Sequence, residues 1–205
     1  MGRGTRGVMM RGMVATVLVL SLAAGATTIV RQDVPELSRR ADAVLRGTVV
    51  RKESRWSGDR RRIFTEVEIR VAETMKGTPR KTVLVRQPGG VVGKVGQRVD
   101  GVASFQQGEE VVVFLARRPD DSFVVQGMAQ GKFRVERSSD GRDAFAIPQE
   151  VEADLVEAPG QSSAGLERRP LTLDELRAQI RDSQAAPPSG DAAPPPVAPS
   201  TPVTK

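Results

Sequence analysis

The sequence predicts a mainly β domain: a small antiparallel barrel with a short N-terminal helix before it and a C-terminal helix after it. Three observations lead there. Several short segments rich in β-branched residues are separated by glycine turns. One long segment alternates apolar and polar residues with a period of two. Helical patterning is confined to the two flanks of this region.

Asp33-Val34-Pro35-Glu36 reads as a helix start, a capping acid followed by proline near the first turn, and the helix ends near Ala41. Val44–Arg51 is a strand in which Gly47 marks a bulge or tight bend, as at a barrel corner. Ser54–Arg62 reads as a polar loop carrying Trp56 and Arg60-Arg61-Arg62. The clearest strand is Ile63–Met75. Ile63, Thr65, Val67, Ile69 and Val71 share one face, and Phe64, Glu66, Glu68 and Arg70 the other. Lys76-Gly77-Thr78-Pro79 turns the chain into a third strand, Thr82–Gln87. Pro88–Gly96 is glycine-rich and reads as a flexible or bulged connection. Glu110–Ala116 holds a continuous apolar run, expected of a central strand. Asp120-Asp121 turns it into Ser122–Gln126. Lys132–Glu136 and Ala144–Ile147 form a further hairpin through Ser138-Ser139-Asp140-Gly141. Thr172-Leu173-Asp174-Glu175 is a capping box opening a helix to about Asp182, with Leu173, Leu176 and Ile180 on one side. Five main strands favour a barrel of the oligonucleotide/oligosaccharide-binding (OB) type.

The flanks set the expected organisation. Arg3, Arg6 and Arg11 precede an apolar run from Met13 to Ala24, followed by Ala24-Gly25-Ala26. That is the pattern of a secretory signal peptide, and the run is shorter than the ~20 residues a membrane-spanning helix needs. Residues 1–26 are therefore expected to be removed, leaving Thr27-Thr28 at the mature N-terminus of a periplasmic or extracellular protein with no transmembrane anchor. The barrel domain is expected over residues 27–150, a linker over 151–170 and a helix over 171–184. A Pro/Ala-rich tail over 185–205 is too poor in apolar residues to fold.

Composition narrows the chemistry. The signal segment carries three arginines and no acid, so its removal leaves 28 basic against 25 acidic residues, +3 instead of +6. Charge of mixed sign along the chain is a weak case for nucleic acid. With no cysteine, no disulfide can staple the fold. With no histidine either, Ser-His and Cys-His nucleophile pairs and the usual zinc sites are excluded. Carboxylate or Ser-Lys catalysis stays open, but no constellation points to it. The expectation is a non-enzymatic protein with no cofactor and no metal of its own.

Several motifs, taken in order, resemble a known family. Ala41-Asp42-Ala43-Val44-Leu45-Arg46-Gly47 resembles the opening strand of the tissue inhibitors of metalloproteinases, the netrin-like branch of OB folds. Met75-Lys76-Gly77 is similar to the family's next strand end, and Gly127-Met128-Ala129-Gln130-Gly131-Lys132 to its "G-K-A-E-G" stretch. The resemblance runs from about Thr27 to Val135. Small exported bacterial proteins of unassigned function look similar. The resemblance implies a netrin-like barrel that inhibits a secreted zinc metalloprotease through its mature N-terminus. The Thr27 α-amine and carbonyl would ligate the partner's zinc, and the Thr28 side chain would enter the substrate pocket. A catalytic zinc keeps an open position for such a ligand, and an α-amine deprotonates readily near neutral pH. In that family cysteines staple the N-terminal segment to the barrel; here packing has to replace them. The alternative for Thr27–Gln32 is an edge strand or loose arm.

Other signals compete. Trp56, Arg60, Arg61, Arg62 and Phe64 can form a cationic aromatic surface for a partner. An envelope-associated structural, glycan-binding or protein-binding role through that surface is the second reading. Single-stranded nucleic acid stacked on the aromatics is the third, opposed by Glu66 and Glu68 beside Phe64. The segment Gly89–Gly96 is not a phosphate loop. Pro88 stands where the first glycine is needed and Val95 where Ser or Thr is needed. Glu109 and Glu110, adjacent on a strand, point to opposite faces and cannot share a site. Glu152, Asp154 and Glu157 read as solvated linker acids. Phe105, Phe114, Phe123, Phe133 and Phe145 read as core.

Overall fold

The computed structural model describes residues 28–151, 154–156 and 169–185. The expected signal peptide, Thr27 and the Pro/Ala-rich tail beyond Ala185 lie outside the described residues. In chain order the elements are β1 (Thr28–Val30), α1 (Val34–Arg40), β2 (Ala43–Trp56), β3 (Ile63–Lys76), β4 (Thr82–Pro88), β5 (Gly90–Val92) and β6 (Val95–Gln97). Then come β7 (Glu110–Arg117), β8 (Phe123–Val125), a 3-10 turn at Met128–Gly131, β9 (Lys132–Arg137), β10 (Ala144–Pro148), β11 (Asp154–Val156), β12 (Leu171–Thr172) and α2 (Leu173–Ala185).

Five strands close into a barrel in the order β2-β3-β4-β8-β7 and back to β2. Every pairing in the ring is antiparallel except β4–β8, which is parallel through Val85 and Phe123. This is the small OB-like barrel expected from the sequence. Beyond β7 the sheet runs on through β9, β10 and β12. Among the described residues no helix is long and apolar enough to cross a membrane.

The continuous apolar run of β7 follows from its position between two cores. Val111, Val113 and Leu115 point into the barrel with Leu45, Val67, Ile69, Val85 and Phe105. Val112 and Phe114 point outward, where Phe133, Ala146, Leu37, Leu176 and Ile180 form a second core under the helices. A strand buried on both faces needs no polar alternation. In β3 only one face lines the barrel, with apolar residues and Thr65, while the other carries charge, so its alternation is readable.

The bend at Gly47 is present. The β2–β3 register shifts between Arg46 and Gly47, and a Cβ there would collide with the carbonyl of Arg70. Two motifs of the resemblance prove to be one structural unit. The Glu36 amide donates to Asp33 Oδ1 at 2.7 Å, capping the start of α1. Lys76 Nζ donates to the Ser38 carbonyl at 2.6 Å, capping its end. Gly77, at φ +89, lets the backbone pass Asp42, whose carbonyl would lie 2.6 Å from a Cβ.

Three expectations are corrected. Ser54–Trp56 is not loop: β2 runs to Trp56, and Ser54 Oγ lies 2.9 Å from Thr65 Oγ1 across the ladder. Pro88–Gly96 is not a loose connection. It carries the β5–β6 hairpin, turned at Gly93-Lys94 with Gly93 at φ +61. The segment 151–170 contains β11, which pairs in parallel with β1, so Asp154 lies in a strand and not in a plain linker.

Candidate functional site

The segment Gly127–Lys132 ties the N-terminal arm to the barrel. Gly127 enters in the left-handed region at φ +67, and the chain makes one 3-10 turn. This places three successive anchors. The Ala129 amide donates to the Gly101 carbonyl at 2.8 Å. Gln130, whose side chain is fully buried, accepts from the Gln32 amide through Oε1 at 2.8 Å and donates from Nε2 to the Val30 carbonyl at 2.9 Å. Lys132 Nζ donates to the Ser104 carbonyl, pairs with Glu109 at 2.7 Å and lies 4.7 Å from the centre of the Phe105 ring. Burial, opposed by Glu109, holds the Lys132 ammonium below the usual lysine range.

Energetics show what the arm needs. Ordering Ile29–Gln32 costs about 1–2 kcal/mol per residue in backbone entropy. The two Gln130 hydrogen bonds return about 0.5–1.5 kcal/mol each. Ile29 is 8% exposed, and burying it contributes about 1.5–3 kcal/mol. The parallel ladder to β11 supplies further hydrogen bonds. Packing, the ladder and one buried amide thus hold the arm of a chain that has no cysteine.

Thr28 opens β1 and pairs with Asp154; Thr27 lies outside the described residues. Trp56 ends β2 opposite Ile63 and is half-buried. Arg60, Arg61 and Arg62 are exposed on the loop that follows, with Arg60 at φ +55. Phe64 pairs with Arg55, one residue out of step with Trp56, so the two aromatics fall on opposite faces. They do not form one stacking platform. The Arg86 guanidinium lies 4.9 Å from the centre of the Phe64 ring.

On the outer face of β2, β3 and β4 the charges form a continuous chain, a feature sequence reasoning missed. Asp120 pairs with Arg86, Arg86 with Glu66, Glu66 with Arg55, Arg55 with Glu53, Glu53 with Arg51 and Arg51 with Glu68. Glu66, placed by the sequence beside Phe64 on one strand face, is 9% exposed between two guanidiniums. Three arginines against four carboxylates give this chain of ion pairs no net positive charge, whereas a phosphate backbone requires a positive field.

At one mouth of the barrel a cleft of about 240 Å³ is lined by Asp42, Thr74, Thr78, Arg80, Arg117 and Phe123, among others. Asp121 bridges both guanidiniums, at 3.0 Å from Arg80, and these bonds hold its carboxyl down to about 2. Glu109 and Glu110 serve different partners, Glu109 binding Lys132 and Glu110 binding Arg46 and Arg137. Among the described residues no three histidine, cysteine, aspartate or glutamate side chains cluster so as to hold a metal ion. No family model matches the chain, and no curated protein sequence matches it.

Proposed function

We propose that this chain is an exported, non-enzymatic binding module that engages its partner through the N-terminal arm on the barrel rim. The partner class is a secreted zinc metalloprotease. Thr27 would supply the amine and carbonyl ligands to the partner's zinc, and Thr28 the side chain for its substrate pocket. The observation that carries this reading is the hold on the arm. Gln130 fixes the backbone at Val30 and Gln32, and β11 pairs along Thr28–Val30. A short segment held this way reaches its partner with its ordering entropy already lost, which is what affinity without disulfides requires.

The test is a pull-down from the native secreted fraction with protein beginning at Thr27, beside a second bait carrying one extra N-terminal glycine. Capture and inhibition of a metalloprotease by the first bait alone supports the reading. Equal capture by both baits, or capture of no protease, overturns it. The partner surface would then be sought at Trp56 and Arg60–Arg62.

A further inference from the structure

The barrel mouth opposite the Asp121 cluster holds a second cleft, of about 200 Å³. Its walls include Val67, Val99, Val102 and Phe105; Lys52 and Gln87 also line it. Gln87 sits on β4 opposite Thr65, on the inner face of the barrel. It is 5% exposed, and its Nε2 is buried without a hydrogen-bond partner. An orphaned donor is a cost that a folded protein normally removes by pairing. Gln87 itself lines the cleft, so this unpaired donor lies at its wall.

The local charge is positive. Lys52 Nζ donates to the Phe105 carbonyl at 2.9 Å, which leaves two of its three N–H groups for a ligand. Behind the Phe105 ring stands Lys132, close enough to Lys52 for each to feel the other's charge. Glu109 is the carboxylate paired with Lys132. Two ammoniums against one carboxylate, an unused amide donor and valine walls describe the complement of a short aliphatic carboxylate. The volume suits one small group, since a cavity of about 150 Å³ holds a benzene.

We propose that this mouth binds a carboxylate on a branched aliphatic group, with Lys52 and Gln87 donating to its oxygens and Val67, Val99 and Phe105 packing its carbon chain. Such a group comes from a free short-chain acid or from the C-terminal residue of a polypeptide. The site does not depend on the N-terminal arm.

The test titrates the purified protein by calorimetry with isovalerate and with N-acetyl-alanyl-valine, each beside its primary amide. Saturable binding of either acid, at least tenfold tighter than its amide, supports the site; the tighter acid names the source. Gln87→Leu should weaken the acid about tenfold or more and raise the urea midpoint, because it removes an orphaned donor. Lys52→Met should weaken the acid and leave the amide unchanged. Absence of saturable binding by both acids overturns the proposal. So does a Gln87→Leu variant that binds as the native protein does, or that loses stability while its binding is untouched.

Discussion

Gln130 links backbone groups 98 and 100 residues earlier in the chain to the barrel. Its replacement is therefore informative at the level of a single amide. Gln130→Leu puts an apolar side chain of similar bulk in place of the amide and orphans the Val30 carbonyl and the Gln32 amide, at about 1–3 kcal/mol for each group left buried. The arm avoids that cost by peeling into water, because it is held along one short ladder. The expected outcome is loss of hydrogen-exchange protection at the Gln32 amide, with the exchange of β7 amides unchanged. Equal protection in the variant would mean that the β1–β11 ladder alone fixes the arm. The segment containing Gln130 was singled out in the sequence, but the glutamine's role was not. A side chain in a one-turn 3-10 helix carries no local sign of a partner about a hundred residues away. Glu66 was missed for a related reason: its burial depends on Arg55 and Arg86 from two neighbouring strands.

At the level of elements, legibility followed local periodicity. β3 was readable because one of its faces lines the barrel. The start of α2 was readable because a capping box is a four-residue device. The Thr172 amide donates to Glu175 Oε2 at 2.8 Å, and the Glu175 amide to Thr172 Oγ1 at 3.1 Å. The second half of β2 was not readable. Arg51–Trp56 is rich in charge, and Arg51 and Arg55 pair across the sheet with Glu68 and Glu66 while Glu53 pairs with both arginines along the strand, so charges do not alternate with apolar residues. The β5–β6 hairpin did carry a signal, valines flanking a two-residue turn that begins with glycine, but glycine content outweighed it. β11 had none, being three residues long and paired only to the arm. Helix α2 fastens to the barrel in two ways. Arg177 grips Glu73 of β3 with two bonds of 2.8 Å, and Leu176 and Ile180 are fully buried in the outer core. Leu176→Ala should cost about 2–5 kcal/mol, the usual range for a buried leucine. The check is the urea midpoint. A loss below about 1 kcal/mol would show that the helix is dispensable to the outer core.

For the whole molecule, the distribution of charge fixes how stability responds to pH. Nothing in the side-chain set titrates in its ordinary state between about pH 5 and 8, because the chain has no histidine. Among the described residues the displaced carboxylates all move the same way. Arg177 bonding holds Glu73 below the usual carboxylate range, and Arg80 and Arg117 hold Asp121 down to about 2. Hydrogen bonds from Arg55, Ser57, Ser122, Ser138 and Thr172 lower Glu53, Asp59, Asp120, Asp140 and Glu175 in turn. A carboxyl whose folded pKa lies below its unfolded value contributes stability that is present above the unfolded value, about 4. That stability is lost as pH falls through the folded one. Stability is therefore expected to be level from pH 8 to about 5, to decline below about 4, and to go on declining toward pH 2 as Asp121 protonates. Most of these carboxyls are exposed, so 1 M salt should flatten the decline by screening their partners. Urea midpoints measured from pH 8 to pH 2.5 at low and high salt test this directly. A loss of stability centred between pH 5 and 7 as pH falls would contradict it, because a carboxyl held below its usual range is still ionised there.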